Sequence, residues 1–424
     1  MSPMKGDGTA TAAAGTGARY DRGLHLATPA MNPATPLTAF RNPNYYSPEH
    51  ELFRQTVRQF AVREIAPHAT AWDEAGGFPR ELYPRAAQAG LLGLGYPEQY
   101  GGTPCDVFHR IVLAEELAWG GSGGVSASLM SHTIGSPPIL NAGSEAMKQR
   151  VLPAVLAGEK ISALAITEPS GGSDVAALRT TAVLDGDHFV VNGEKTFITS
   201  GVRADYFTVA VRTNPADRSA GGVSLLLIER DTPGFSRTAL DKMGWWASDT
   251  AQLRFENCRV PAANLIGELN RGFPIVMRNF NGERLWMAAG ALGFAQVCLN
   301  DALDWARQRH TFGEPLSQRQ VIRHKLVDMA IRVETTRTFM EDLAWRVQHG
   351  AGDPKVLVAQ LSMLKVQSMQ TLQFCADQAV QILGGMGYMR GTRVERVYRE
   401  VKVNMIGGGS EEIMKDLAAR QLGF

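Results

Sequence analysis

The stretch HFVVNGEKTFITSG, residues 188–201, marks the point where the pattern of this sequence changes from helical to extended. Two runs rich in β-branched and aromatic residues flank the dipeptide Asn192-Gly193, which is a strong short-range signal for a β-hairpin. Further runs of this kind follow, namely DYFTVAVRT, GVSLLLIERD and TAQLRFENCRVP. The middle of the chain is therefore predicted to be an all-β unit.

Helical patterns lie on both sides of this unit. From Ser47 to about Gly158, and again from Gly272 onward, apolar residues recur at helical spacing. The first segment opens on Ser47-Pro48, a capping residue followed by proline in the first turn. Its predicted apolar stripe consists of Leu52, Val57, Phe60 and Ile65.

The prediction is an α+β fold in three parts. Residues 43–160 would form a helical domain, 161–270 an antiparallel β-barrel or sheet domain, and 271–424 a four-helix bundle. Residues 1–42 lack periodicity and are predicted to be a disordered tail. An import signal fits this segment less well, because it holds Asp7, Asp21 and a single serine.

Composition and charge exclude several classes of function. Lys plus Arg total 43 against 42 for Asp plus Glu, so no general field attracts nucleic acid or an anionic membrane. No apolar run reaches the roughly 18 residues that a membrane-spanning helix needs. The four cysteines lie far apart and the nine histidines lack ligand spacing, so neither a disulfide framework nor a metal site is predicted. The cysteine usage favours a reducing compartment.

Two glycine-rich motifs resemble known sites but lack the structural context that those sites require. GGSGG around Ser122 fits a nucleophile elbow, which needs a strand before it and a helix after it. Here it follows the helical run AEELAW, so a flexible turn between helices is favoured. GGMGYMRG after Leu383 resembles a dinucleotide fingerprint, but it follows a helix and its third glycine is misplaced.

Three other segments offer groups that suit a flat, polar ligand. LAITEPSGGSD, residues 164–174, predicts an open turn of N–H and hydroxyl donors, although an ordinary polar turn is the simpler interpretation. In KTFITSG, residues 195–201, Phe197 and Thr199 project to one face, and a sheet core would account for Phe197 equally well. RHTFG, residues 309–313, ends a helix with a cation, a hydroxyl and an aromatic ring, or is a helix cap.

These three segments, with QILGGMGY and IGGGSEEI near the C-terminus, match the acyl-CoA dehydrogenase family in order and spacing. The chain resembles that family from about residue 45 to 424. The resemblance implies FAD as cofactor, an acyl-CoA thioester as substrate and electron-transfer flavoprotein as electron acceptor. It also implies a homotetramer, or a homodimer, in the cytoplasm of a bacterium or the mitochondrial matrix of a eukaryote.

The resemblance also assigns cofactor contacts residue by residue. Thr167 and Ser173 would contact the flavin ring and phosphates, and Ser173 would lie near the CoA pantetheine as well. Phe197 and Thr199 would flank the flavin, with Thr199 near the N5 atom. The adenine half of an FAD held mainly by a neighbouring subunit would be bound by Arg309, Thr311, Phe312, Gln320, Gln381 and Gly385.

The terminal glycine loop has no acid at the position where most relatives carry the catalytic base. The matching residue here is Gly408, which would leave a backbone N–H for the thioester oxygen. Glu411 and Glu412 follow in the first turn of a helix, where acids are expected from the helix dipole alone. The resemblance implies that Ser410 and Glu412 approach the cofactor from this loop.

A smaller set of relatives, including isovaleryl-CoA and long-chain acyl-CoA dehydrogenases, carries the base on a bundle helix just before an arginine. FNGERLWMAAG places Glu283 and Arg284 at that point. The apolar neighbours Phe280, Trp286 and Met287 predict burial, which would raise the pKa of Glu283. From the residues alone, a structural ion pair of Glu283 with Arg284 or another cation stays equally open. The resemblance favours Glu283 as the base and Arg284 as a substrate contact.

Several alternatives share part of this pattern. An acyl-CoA oxidase or an acyl-carrier-protein thioester dehydrogenase would use the same scaffold. A serine hydrolase built on Ser122, or a binding scaffold that lost its base at Gly408, would belong to other classes. Gly391, Thr392 and Arg393 depart from the usual family residues, so the length and branching of the acyl chain stay open.

Overall fold

Along the sequence, helices precede and follow the strands of one large sheet. The structure is a computed structural model that describes residues 42–217 and 219–424. The tail predicted over residues 1–42 lies outside the described residues, apart from Asn42. The predicted α+β fold, with helices first, a sheet in the middle and helices again at the C-terminus, is confirmed.

The N-terminal helices are short, and their order follows the predicted helical segment. Their bounds are α1 Pro48–Phe60, α2 Ala69–Ala75, α3 Leu82–Gln88, α4 Val107–Leu117, α5 Gly123–Leu129, α6 His132–Gly135, α7 Pro137–Ala142 and α8 Glu145–Leu156. Val57, Phe60 and Ile65 are buried as predicted, but Leu52 is 67% exposed. At 3.6 residues per turn, Leu52 lies about 140° around the helix from Val57, so it cannot share the buried face.

The middle of the chain forms an eight-stranded sheet with the order β6-β7-β3-β2-β4-β5-β8, and β1 pairs with β4. The strands are β1 Ser162–Ala165, β2 Thr181–Asp185, β3 His188–Thr199, β4 Tyr206–Arg212, β5 Val223–Glu229, β6 Phe235–Ala239, β7 Thr250–Pro261 and β8 Leu265–Ile266. Most pairs are antiparallel, as predicted. However, β1 and β2 each run parallel to β4. Strand β2 does so because β3 returns the chain before β4 begins.

The hairpin predicted at Asn192-Gly193 is wrong. Both residues lie inside β3, which pairs with β7 on both sides of them. The turn between β2 and β3 lies earlier, at Gly186 and Asp187, where Gly186 has a φ of 62°. Gly193 has a φ of 140°, and a Cβ there would lie 2.7 Å from the Cα of Thr180. The glycine is therefore needed at an irregularity within the strand and not at a turn.

The C-terminal part consists of three long helices and shorter ones packed against them. Their bounds are α9 Gly272–Gln308, α10 Gln320–His349, α11 Pro354–Leu383, α12 Gly385–Tyr388, α13 Arg393–Ile406 and α14 Glu411–Leu422. A small hairpin of β9 His310–Thr311 and β10 Glu314–Pro315 joins α9 to α10. Helix α11 packs against α9, α10, α13 and α14, so it is the central helix of the bundle.

Helix α9 connects two hydrophobic cores. Its first turns, including Val276 and Phe280, pack with residues of the sheet and of α8 such as Leu225 and Val151. From Leu285 onward it belongs to the bundle core. Position 283 therefore lies between the two cores, where the helix leaves the sheet and enters the bundle.

Within the described ranges, no helix is both long and apolar enough to cross a bilayer. All four cysteines are free thiols, with Cys105 half-buried and the others buried. The domain boundaries at 160 and 270 stay predictions.

Candidate active site

Glu283 is a half-buried carboxyl group with an unpartnered oxygen. Its Oε2 atom is shielded from solvent and has no hydrogen-bond partner among the described residues. Phe280, Trp286 and Met287, the predicted apolar neighbours, are all partly buried. Burial raises the pKa of Glu283 to about 7, against the lowering effect of the nearby Arg284 charge. A carboxyl group in this state can accept a proton near neutral pH.

Arg284 supplies positive charge beside this carboxyl group. Its side chain is only 7% exposed, so it lies in the protein interior and not on the outer face of α9. Burial lowers the pKa of the Arg284 guanidinium, and the charge of Glu283 opposes that shift. The two neighbours therefore stabilise each other's charged form, yet Glu283 keeps one oxygen without a hydrogen bond.

The terminal glycine loop lies directly against α9. Gly408 and Gly409 have φ values of 67° and 104°, in the region that favours glycine. A Cβ on Gly408 would lie only 2.6 Å from the Sδ atom of Met287. Since Met287 is one helical turn after Glu283, the loop and the predicted base are brought to one place.

Lys365 joins the same region from α11, and the sequence analysis missed it. It is 1% exposed, and its Nζ atom donates hydrogen bonds to the carbonyl oxygens of Gly409 at 2.7 Å and Met405 at 3.3 Å. Burial lowers the pKa of Lys365 to about 8. The available signal was a single lysine within the apolar run LSMLKVQSM of a long helix.

The two acids of the terminal helix have local partners. Glu411 Oε1 accepts a hydrogen bond from Gln370 Nε2 at 2.7 Å and also contacts Lys415. Glu412 is exposed, and hydrogen bonds from its own backbone and from Ser410 hold its pKa below the usual value. Ser410 is the N-cap of α14 and accepts from the N–H of Ile413 at 3.4 Å. These acids fit their predicted place at a helix N-terminus.

The segments predicted to face the flavin lie side by side, where the turn after β1 contacts β3. The carbonyl oxygen of Thr167 accepts a hydrogen bond from the Thr196 N–H at 2.8 Å, which brings Thr167 beside Phe197. Phe197 is 70% exposed and has a φ of 60°, a strained conformation for an aromatic residue. Thr199 is half-buried and Ser173 is exposed.

A buried ion pair lies beneath this region and was also missed. Lys195 Nζ donates to Glu168 Oε1 at 2.8 Å and to the carbonyl oxygen of Ile166 at 2.9 Å. Glu168 Oε1 also accepts from the N–H of Thr180 at 2.9 Å, and Oε2 accepts from the N–H of Arg179 at 2.6 Å. Glu168 therefore ties the start of the TEPSGGSD turn and the residues just before β2 to β3.

The residues predicted to bind the adenine half lie at the ends of the bundle helices. Arg309, Phe312, Gln320, Gln381 and Gly385 are exposed, and Thr311 is half-buried. Within the described part of the chain, no hydrogen bond or ion pair connects them to the flavin-facing segments. Phe312 is 97% exposed with a φ of 51°, and only the Arg319 guanidinium lies over its ring, at 5.8 Å.

These two groups of residues fit a ligand with a flat ring and a phosphate-rich remainder. The ring of Phe197 is exposed, on a strained backbone, and it offers an aromatic face next to half-buried hydroxyl groups. Gly171 and Gly385 have no atom within 4 Å of the position of a Cβ, so their backbones are open to close approach. Such a combination suits FAD, whose ring would lie on the sheet side and whose phosphates would meet the glycine-rich turn.

The two glycine-rich motifs, GGSGG and GGMGYMRG, lie at the ends of helices. Ser122 is fully buried, and its hydroxyl oxygen accepts from the Val125 N–H at 3.2 Å as the N-cap of α5. It follows helical residues, so the strand that a nucleophile elbow needs is missing at this point of the described chain. Of the glycines after Leu383, Gly384 separates α11 from α12, while Gly385 and Gly387 lie within α12.

One titratable cluster escaped the sequence analysis because its members are distant in sequence. The ligand-type atoms of His50, Asp106 and His109 lie within 4.8 Å of one another. Asp106 interacts with His50 Nε2 at 3.0 Å and with His109 Nδ1 at 2.8 Å, and it caps α4. The Ser47 N–H donates to His50 Nδ1 at 2.9 Å, so the proton of neutral His50 lies on Nε2 and points to Asp106. These hydrogen bonds account for the close approach of the three side chains.

Comparison with known proteins agrees with this arrangement. Three family profiles match the chain: acyl-CoA dehydrogenase N-terminal domain over residues 47–159, middle domain over 163–258 and C-terminal domain over 270–423. An acyl-CoA dehydrogenase of Bacillus subtilis (strain 168) is 39% identical over 88% of this chain and 98% of its own length. The long-chain specific mitochondrial acyl-CoA dehydrogenase of Sus scrofa is 36% identical over 89% of this chain and 87% of its own length.

Structural similarity leads to the same family. The crystal structure of an acyl-CoA dehydrogenase from Geobacillus kaustophilus superimposes with a TM-score of 0.85 at 38% identity, covering 90% of this chain and 99% of that one. Sequence and structure thus agree over nearly all of the described residues. The chain belongs to the acyl-CoA dehydrogenase family, whose members are generally FAD-dependent oxidoreductases.

Proposed function

We propose that this enzyme introduces a double bond between the α and β carbons of an acyl-CoA thioester, with Glu283 as the base. The observation that carries the proposal is the buried Oε2 of Glu283, which lacks a hydrogen-bond partner beside the glycine loop. A carboxylate kept in this state is free to take a proton from a substrate carbon.

The pKa of the base supports this role. A pKa of about 7 leaves Glu283 ionised in a large fraction of molecules at neutral pH, and it makes the carboxylate basic enough to compete for a carbon-bound proton. The adjacent Arg284 charge keeps the ionised form accessible in spite of burial. Arg284 would also contact the substrate near the thioester.

Gly408 would serve the thioester oxygen. Negative charge develops on that oxygen when the α-proton leaves, and a backbone N–H aimed at it stabilises the charge. A Cβ at position 408 would collide with Met287. Glycine therefore lets the backbone of the loop lie this close to α9. The same lack of a side chain leaves space for acyl chain beside Glu283.

The exposed aromatic and hydroxyl groups at the edge of the sheet would hold the cofactor. Thr167, Ser173, Phe197 and Thr199 would receive the flavin half, and Ser173 would also meet the CoA pantetheine. The adenine half would contact Arg309, Thr311, Phe312, Gln320, Gln381 and Gly385 of a neighbouring subunit, while Ser410 and Glu412 would approach from the terminal loop. FAD bound there supplies the acceptor for the hydride that leaves the β carbon.

The proposed substrate range and partners follow from the position of the base. The resemblance to isovaleryl-CoA and long-chain acyl-CoA dehydrogenases, which carry the base on a bundle helix, favours long-chain or branched acyl-CoA. One relative of this chain is a long-chain specific acyl-CoA dehydrogenase. Electrons would pass to electron-transfer flavoprotein, and the enzyme would act as a homotetramer or homodimer.

The decisive experiment is an anaerobic titration of the yellow protein with a panel of acyl-CoA thioesters, followed by flavin absorbance at about 450 nm. Wild type and Glu411→Gln are expected to bleach rapidly, since Glu411 already has structural partners. Glu283→Gln is expected to bind substrate but to bleach at least about 1,000-fold more slowly, as removal of an essential base requires.

Equal bleaching in wild type and Glu283→Gln would contradict the assignment of the base. A yellow wild-type protein that no CoA thioester bleaches would contradict the proposed substrate and favour a carrier-protein thioester. Oxygen consumption in air, measured with an oxygen electrode during turnover, separates an oxidase from the dehydrogenase proposed above.

A further inference from the structure

We infer that Lys365 is a positioning residue of the active site, which holds the terminal glycine loop against α9 and places a positive charge near Glu283. This inference rests on the proposed function, because it assigns Lys365 a task in presenting Gly408 and Glu283 to the thioester. Lys365 lies on α11 and does not itself reach the described flavin-facing residues through any hydrogen bond.

Lys365 binds two backbone carbonyl groups of the terminal loop region. Its Nζ donates to the carbonyl oxygens of Met405, in the last turn of α13, and Gly409, just after Gly408. These residues flank Gly408 on both sides. A single ammonium group therefore fixes the two ends of the segment that contains the proposed thioester contact.

Keeping the charge of Lys365 inside the protein costs free energy. Lys365 is 1% exposed, and within residues 42–217 and 219–424 no carboxylate lies within 4.0 Å of its Nζ. Buried lysines are normally paired, because removal of an ammonium group from water is expensive. If Lys365 served only to pack α11 against its neighbours, leucine or methionine would stabilise that contact better. The position therefore requires a cation or a strong hydrogen-bond donor.

Four charged side chains from two helices act on Lys365. Arg284 and Glu283 act on it from α9, and Glu411 and Glu412 act on it from α14. Burial lowers the pKa of Lys365, Arg284 lowers it further, and the three glutamates oppose that shift. The exposed Lys402 of α13 acts on Glu412.

The same interaction acts in the opposite direction on the base. Lys365 and Arg284 both lower the pKa of Glu283, against the raising effect of burial. Loss of the Lys365 charge would move the pKa of Glu283 further upward, and fewer molecules would carry the ionised base at neutral pH. Loss of its hydrogen bonds would release the loop that contains Gly408.

A purely structural role makes a different prediction. If Lys365 only closes the end of the bundle, its removal should lower stability and leave the pH dependence of catalysis unchanged. A matched control for such a loss is Thr336→Val, because Thr336 is fully buried and its hydroxyl bonds that of Thr371 on α11 at 2.8 Å. That bond lies between α10 and α11, away from the loop.

The test compares FAD-loaded wild type, Lys365→Met and Thr336→Val. Lys365→Met is expected to lower kcat by about 100-fold, the size that follows from loss of alignment. The acidic limb of its kcat/KM profile should shift upward by about one pH unit, as expected when a nearby opposite charge is removed. Hydrogen exchange of the amides in 405–410 should become faster. Thr336→Val should keep the wild-type profile and the wild-type exchange in this loop.

The outcomes separate this inference from the proposed function. A wild-type acidic limb and wild-type exchange at 405–410 in Lys365→Met, with an active wild-type enzyme, would overturn the inference. An inactive wild type would overturn the proposed function, while the exchange measurement would still report whether Lys365 holds the loop. A shift of the acidic limb in Thr336→Val as large as that in Lys365→Met would also overturn the inference, since it would assign the effect to general loosening.

Discussion

At the scale of single residues, burial makes the folded protein more stable when the carboxyl group of Glu283 is protonated than when it is ionised. Its folded-state pKa of about 7 lies above the value of about 4.3 expected in an unfolded chain. The folded state therefore binds the proton more tightly, so the free energy of unfolding decreases as the pH rises from about 4.3 to about 7. Above pH 7 the full cost of the buried charge remains.

Glu283→Gln removes this cost and is expected to stabilise the protein at pH 8 by up to about 3 kcal/mol, from a shift of about 2.5 pKa units. At pH 5 the folded carboxyl group is protonated while the unfolded one is still mostly ionised, so the gain should fall to about 1 kcal/mol. Urea unfolding at both pH values measures the difference. A gain of the same size at both pH values would show that the charge of Glu283 is not its cause.

Gly408 allows backbone conformation and packing to be tested separately. Gly408→Ala would place a Cβ at 2.6 Å from Met287 Sδ, at a φ of 67°. The flexible Met287 side chain can move aside, so the stability loss should stay near the backbone term of about 1 kcal/mol. Displaced Met287 and loop atoms lie beside the base, so kcat should fall by about 100-fold.

Gly186→Ala is the matched control for this change, since Gly186 has a similar φ of 62° and no atom within 4 Å of its Cβ position. Chemical unfolding should give the two variants similar losses, and steady-state kinetics should separate them. Full activity in Gly408→Ala would contradict a role for the close approach of the loop to α9.

At the scale of elements, the ion pair between Lys195 and Glu168 connects β3 to the turn that follows β1. Lys195 is fully buried and the Glu168 side chain is 4% exposed. Although burial acts to raise it, the Lys195 charge and the hydrogen bonds hold the pKa of Glu168 below its usual value. Lys195→Met would leave this carboxylate buried without a cation, and breaking such a pair costs about 3 kcal/mol.

The exposed pair between Arg254 and Glu256 is the matched control, since both side chains are more than half exposed. Glu256→Gln should change the free energy of unfolding by less than about 1 kcal/mol. Denaturant unfolding of both variants measures the contrast. Lys195→Met should also weaken FAD retention, because the turn that carries Thr167 loses its support. Equal effects of the two substitutions would contradict the structural importance of the buried pair.

Strands β3 and β2 show how far sequence patterns reach at this scale. The β-rich runs were correctly predicted as strands, because residue preference and alternation are local properties. The turn was assigned to Asn192-Gly193, although Asp185-Gly186 offered a comparable signal seven residues earlier. Which glycine turns the chain is decided by pairing with β7, and the sequence of β3 alone does not contain that information.

Lys365 and Lys195 illustrate a second limit of sequence patterns. A lysine is assigned to a solvated face by default, because its cost of burial is high. Both residues are nevertheless buried, and the partners that make this possible lie 27 to 44 residues away along the chain. Glu283, in contrast, could be predicted, because its apolar neighbours at helical spacing are local and the family places a base there.

At the scale of the whole molecule, helix α13 connects the three segments. Arg399 donates to Asp73 of α2 at 2.9 Å, and Asp73 accepts from the N–H of Ala247 after β6 at 3.2 Å. Glu400 accepts from the N–H groups of Gly123 at 2.8 Å and Gly124 at 3.2 Å at the start of α5. The boundaries predicted at 160 and 270 follow changes in periodicity, whereas the described segments pack as one unit.

We expect two chains to share one cofactor site. Phe197 and Phe312 are both exposed aromatic residues at positive φ, and no bond among the described residues connects their surroundings. If one chain supplies the flavin side and its neighbour the adenine side, Phe197→Ala and Phe312→Ser should each lose FAD and activity. Leu52→Ser, at another exposed apolar residue, should retain both.

Mixing the two variants provides the decisive readout. A mixed pair of chains contains one site with both aromatic residues intact, because Phe312→Ser still has Phe197 and its neighbour still has Phe312. Equal mixing after mild dissociation gives mixed pairs in half of the cases, each with one intact site of two, so about a quarter of the wild-type flavin content and activity should return. If both residues serve one site within a single chain, each variant chain stays defective and mixing restores nothing.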